Sequence, residues 1–187
     1  MKALIGVGVA SHPLSAAGNT WASLQWVLGF RELGWEVWMI ESLASDRCVD
    51  AGWKPSAFPE SANGRHWRQV VDRFGLGGSA TLLLDGDAAS VREAKRFAAG
   101  ADLFLNISGH FKAPDFRMPR ARRVYLDLDP AFTQIWADVY GADMNFTGHD
   151  AFFSVGSRLG RDGCLAPTCG IDWLPTLPPV VLTHWRF

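Results

Sequence analysis

Apolar and polar residues follow one another along this chain in two rhythms, and the changes of rhythm mark its elements. Ala3 to Val9 is an unbroken run of apolar residues and glycine, of strand length, as in a parallel strand covered on both faces. From Thr20 to Leu33 apolar residues recur at helical spacing. Trp21, Leu24, Val27, Leu28 and Phe30 share a broad face, Asn19 stands where an N-cap accepts amide hydrogen bonds, and Gly34 stands at C′. Glu36 to Ile40 returns to the strand pattern. Strand, loop, helix and strand in that order are what a right-handed βαβ crossover builds.

The same alternation continues. Ser42 to Gly64 is a looser excursion with Pro55, Pro59 and Asn63-Gly64 as turn formers. Trp67, Val70, Val71 and Phe74 predict a second helix, and Thr81 to Leu84 a third strand ending in the turn Asp85-Gly86-Asp87. Ser90 with Glu93 forms a capping box for a helix that runs to about Ala99, with Gly100 after it. Asp102 to Ile107 is the fourth strand and Arg123 to Leu128 the fifth. Asp129-Pro130 then opens a helix whose Phe132, Ile135, Trp136 and Val139 take core spacing, and Ala151 to Val155 is the sixth strand. The expected fold is α/β: a doubly wound, mostly parallel, Rossmann-like sheet of about six or seven strands. Residues 1–174 form one domain. Residues 175–187, with Pro175, Pro178 and Pro179, read as a linker or tail.

Bulk composition changes this picture little. With 48% hydrophobic and 20% charged residues in 187, one well-buried domain is expected. A net charge of −1 offers no basic field for nucleic acid; only Arg92 to Arg96 and Arg117 to Arg123 concentrate positive charge. Three cysteines without C-x-x-C spacing argue against a disulfide framework or zinc site and fit a cytoplasmic protein. No apolar run approaches the roughly 20 residues that span a bilayer. Met1-Lys2 and the apolar run after it share features with a signal peptide cleaved after Ser15-Ala16-Ala17, but cleavage would remove the first strand, so strand is the reading.

In doubly wound sheets ligands bind beyond the carboxyl ends of the strands. That rule selects His12, Glu41, Asp85, Asp87, Asn106, Ser108, His110, Asp127 and Asp129, with His149 and Asp150 before the sixth strand. Carboxylates and histidines on one rim suit general acid and base chemistry. Gly6-x-Gly8, with Glu41 for ribose hydroxyls, invites a nicotinamide reading, but Ser11 replaces the third glycine and the loop is long; the alternative is glycines packed close to a helix. Asp127 and Asp129 resemble paired metal-holding carboxylates, while Asp129 alone is also a helix cap. His110 follows Ser108-Gly109, where glycine lets a ligand approach the backbone, or is a histidine satisfied within its loop. Among nine tryptophans, Trp26, Trp38, Trp67 and Trp136 fall at core spacings, and Trp53, Trp173 and Trp185 at exposed ones.

The opening, with Gly18-Asn19-Thr20 and Phe30-Arg31-Glu32-Leu33-Gly34-Trp35-Glu36-Val37, resembles the acceptor-binding half of a GT-B glycosyltransferase. Asn106 to His110, Tyr125 to Pro130, Thr133-Gln134, Gly148-His149-Asp150 and Pro167 to Trp173 resemble a group of uncharacterised bacterial glycosyltransferases, over nearly the whole chain. The resemblance implies a domain that binds a small-molecule or glycan acceptor for sugar transfer from a nucleotide-sugar donor. The donor would be held mainly by a second Rossmann-like domain, expected after Pro178-Pro179 and absent before Phe187, so that this chain alone is expected to be inactive. No cofactor or metal is implied. Many such enzymes carry a histidine base at the helix start. Asn19 occupies that place here, leaving His12 or His110 as base and Asp127 to orient it, with Asn19, Asn106, Ser108, Asp129, His149, Asp150 and Asp172 toward the substrate. Two other readings stand beside this one: a non-catalytic Rossmann-like module that dimerises through its Pro-rich tail, and an NAD(P)-dependent oxidoreductase.

Overall fold

The computed structural model describes residues 1–13, 17–85, 91–112 and 116–185. The Ser90 capping box, Gly86 and Asp87 of the predicted turn, and Ser15-Ala16 lie outside them. Among the described residues seven strands, β1 (Lys2–Gly6), β2 (Glu36–Leu43), β3 (Ala80–Leu84), β4 (Leu103–Ile107), β5 (Arg122–Asp127), β6 (Ala151–Ser154) and β7 (Trp173–Pro175), form one parallel sheet in the order β3-β2-β1-β4-β5-β6-β7. Strand order reverses between β1 and β4, where a doubly wound sheet opens its crevice.

Side-chain alternation divides the core. Ala3, Ile5, Val37 and Met39 pack with Leu24, Val27 and Leu28 of α1 (Ala17–Glu32) and Trp67 and Val70 of α2 (Ala62–Arg73). Leu4, Ile40 and Phe104 point to the opposite face, against Ala94 and Ala98 of α3 (Arg92–Ala99). Tyr125, Leu159 and Trp173 with Phe146 and Phe152 make a third, aromatic cluster near the β7 edge. Gly34, at φ +79°, ends α1 with Trp35 N donating to Phe30 O and Gly34 N to Arg31 O, a Schellman closure. Ser61 caps α2 by accepting from Gly64 N at 2.9 Å.

Four sequence expectations are corrected. Helix α1 starts at Ala17, so Asn19 lies inside its first turn, exposed, and is not the N-cap. Asp129 caps nothing either, because α4 (Phe132–Asp138) begins three residues later, after Ala131 at φ +75°. The apolar positions of α4 face water: Phe132 is 69% exposed, Trp136 52% and Val139 65%, while the polar Thr133 and Gln134 are buried. Trp173, expected to be exposed, is buried.

Past β7, the chain folds back across α1. Val181 is buried, with its N–H donating to Gln25 Oε1, and Trp185 lies against Trp21. Among the described residues no helix is long and apolar enough to cross a membrane.

Candidate functional site

The crevice between β1 and β4 is built from backbone turns that converge on Gly8. After β4, Ser108 and Gly109 both take left-handed conformations (φ +48° and +69°), and His110 N donates to Ile107 O at 3.1 Å. This is a type I′ turn. It returns the chain so sharply that the His110 ring lies on Gly8, where an added Cβ would stand 2.6 Å from the ring. Gly6 is covered in the same way by Asn106 and Phe111, at 2.9 and 2.7 Å from the position of a Cβ. The G-x-G glycines are therefore packing residues, as the alternative reading had it, but their neighbours are the turn after β4 and its side chains rather than a helix.

Glu41, in the last half of β2, holds the loop after β1. Its buried carboxylate accepts from Ala10 N at 2.8 Å and from Ser11 N and Oγ at 2.7 and 2.6 Å. Burial pushes its pKa up to about 7, against these hydrogen bonds. The carboxylate expected to meet ribose hydroxyls is thus occupied within the chain. Asn63, read from sequence as a turn former, sits buried in the first turn of α2 and donates to Ala10 O at 2.8 Å while accepting from Val49 N. Helical spacing from Ser61 onward was the signal that could have found it.

Held from two sides, the loop presents His12. Its Nδ1 donates to Gly8 O at 3.0 Å, which leaves Nε2 as the basic nitrogen of the neutral ring. The His12 and His110 rings meet edge to face at 5.4 Å. Burial, and secondarily His12, hold His110 down at about 4, so it is neutral near pH 7.

The remaining predicted residues divide. Asp127 orients neither histidine. It is fully buried, and Oδ1 accepts from Asp129 N and Thr133 Oγ1 at 3.0 and 2.7 Å, Oδ2 from Gln134 Nε2 and Ser154 Oγ at 3.1 and 2.7 Å. All its acceptor capacity is spent joining β5, α4 and β6. Asn106 bonds Phe111 on both its oxygen and nitrogen and reaches His149 Nε2 at 3.3 Å. His149 gives its Nδ1 proton to Phe146 O, stacks on Phe104, and has its pKa lowered by burial. Both are satisfied inside the fold. Gly109 is approached by Met144 O, 2.4 Å from the position of a Cβ, rather than by an open space for ligand. Ser108 stays partly accessible at the turn, and Asp129 is exposed.

Asp150 and Asp172 lie at the other end of the sheet. Asp150 precedes β6 and accepts from Arg123 N at the start of β5, and the exposed Asp172 precedes β7. Among the described residues no group of three metal-ligating side chains assembles. Compared with family models, curated proteins and solved structures, the chain matches none.

Proposed function

We propose that this chain is the acceptor-side domain of a GT-B-type glycosyltransferase, with the reacting hydroxyl held over the β1/β4 crevice. The observation that carries the reading is His12: its Nδ1 is fixed on Gly8 O, and its basic Nε2 stands at the switch point of the sheet. In the reaction the acceptor oxygen bonds to the anomeric carbon of the sugar. The bond from that carbon to the nucleotide diphosphate breaks, and Nε2 takes the hydroxyl proton. His110, neutral and wedged on Gly8, positions the His12 ring and does not take up the transferred proton. The donor would be bound mainly by a second Rossmann-like domain, as the resemblance implies.

Calorimetry with uridine and guanosine diphosphate sugars tests it, using the chain together with any coding sequence that continues past Phe187. Saturable heat with at least one nucleotide sugar is expected; no heat with any of them overturns the reading.

A second reading, a non-catalytic module that associates with a copy of itself, is favoured by the exposed aromatic face of α4. Light scattering from a monomer at high concentration removes it. The oxidoreductase reading has lost its supports, since Gly6 and Gly8 are covered and Glu41 is engaged. Quenching of tryptophan fluorescence by NAD or NADP would restore it.

A further inference from the structure

The crossover from β4 to β5 carries no helix among its described residues, and a slot remains on the α3 face of the sheet where such a helix would pack. It runs from Asn106, near the carboxyl end of β4, to Arg123, near the amino end of β5, with a volume of about 390 Å³. That lies in the range of small-molecule sites. Phe104, Phe111, Phe116 and Met118, all buried, give it an apolar lining.

Among the described residues that line it, the charges do not balance. Lys112 is paired with Asp143 at 3.0 Å and also donates to the Asp143 carbonyl. His149 is uncharged near pH 7, satisfied by Phe146 O and Asn106, with Arg123 adding to the burial that lowers its pKa. Asp150 turns its carboxylate to the Arg123 backbone N–H, and no carboxylate among the described residues pairs with the Arg123 guanidinium. Among the described residues, one fixed positive charge therefore faces the slot unmatched. Arg117, Arg120 and Arg122, near it in sequence and exposed, also form no ion pair among the described residues.

We propose that this slot binds a small organic anion: a carboxylate, sulfonate or phosphate group on Arg123, borne on an aromatic or aliphatic body that lies against Phe104, Phe111, Phe116 and Met118. Arginine's planar fork suits all three anionic groups. The slot opens beside the turn that carries His110 and does not depend on the sugar-transfer reading.

The test titrates the full chain with 8-anilinonaphthalene-1-sulfonate and with N-phenyl-1-naphthylamine, which has the same rings and no charge. Saturable one-to-one fluorescence is expected for the sulfonate. Arg123→Gln should weaken it about tenfold, the scale of one charge-assisted contact, whereas Arg123→Lys should retain most of the affinity. Trp136→Ser, on the exposed face of α4, should change nothing. In the unaltered protein, added salt should weaken the sulfonate and leave the neutral probe unaffected, a result that needs no variant to fold. Equal binding of the two probes, insensitivity to both salt and Arg123→Gln, or loss of binding in Trp136→Ser would overturn the proposal.

Discussion

Glu41 within β2 and His110 just past the turn after β4 respond to pH in opposite senses. Glu41 is a carboxylic acid raised to about 7, so between its ordinary range and 7 the folded state holds a proton that the unfolded chain has released. Its contribution to stability falls as pH rises through that window. His110 is a base lowered to about 4, so between 4 and its ordinary range the unfolded chain holds the extra proton. Its contribution rises with pH and is lost as pH falls toward 4. His66 and His149, also lowered by burial, act in the same sense as His110. The slopes oppose each other between about pH 4.5 and 6.5, so Glu41→Gln should expose the histidine slope. Urea unfolding of that variant should show stability climbing with pH, by up to about 1.4 kcal/mol per pH unit for each proton. At the same scale, Asp127→Asn sets an amide against donors that now meet a carboxylate. A loss of about 2 kcal/mol is expected, with folding intact, by the same measurement. Sequence spacing located Asp127 at a strand end. It could not reveal the four donors that satisfy it, because Thr133, Gln134 and Ser154 reach it only through the β5-α4-β6 connection.

Elements were legible where one rhythm ran long enough. The strands β1 to β6 and the helices α1 and α2 follow from apolar runs and helical spacing, since burial on a two-faced sheet leaves little else possible. The short helix α4 misled because its periodicity marks a face that nothing in the described structure covers: apolar spacing reports amphipathicity and not which side is buried. The turn after β4 shows the same limit. Ser108-Gly109 was visible as a glycine-containing strand end, but its two positive φ angles, and thus the folding of His110 onto Gly8, depend on the packing of Met144 and Tyr125. Two substitutions check this element. Gly109→Ala meets both an unfavourable φ and the Met144 carbonyl and should cost about 2 kcal/mol or more, whereas Ser108→Gly relieves a left-handed residue and should be neutral or stabilising by up to about 1 kcal/mol. Thermal unfolding of the pair decides it. Equal losses would mean that the turn does not have this geometry.

At the scale of the molecule, doubly wound topology brings residues distant in sequence to one crevice and carries others away from it. His12 and His110 meet because β1 and β4 are neighbours at the point where strand order reverses. Asp150 and Asp172 belong to the opposite end because β6 and β7 run parallel to the rest and these residues precede their strands. For Asp150, which precedes a strand that the sequence also predicts, that end was legible; for Asp172 it was not, because β7 carries no strand signal of its own. The returning segment after β7 closes over α1 through Val181 and Trp185, a contact across 156 positions for the Val181–Gln25 hydrogen bond that no local pattern announces. Sugar transfer with His12 as the base is tested most directly by nucleoside diphosphate release from nucleotide sugars with a panel of hydroxyl acceptors, comparing the parent with His12→Gln, each with any coding sequence past Phe187. Acceptor-dependent release is expected, falling about 100-fold or more in the variant, with unchanged circular dichroism. Release that is the same in His12→Gln as in the parent would contradict His12 as the base.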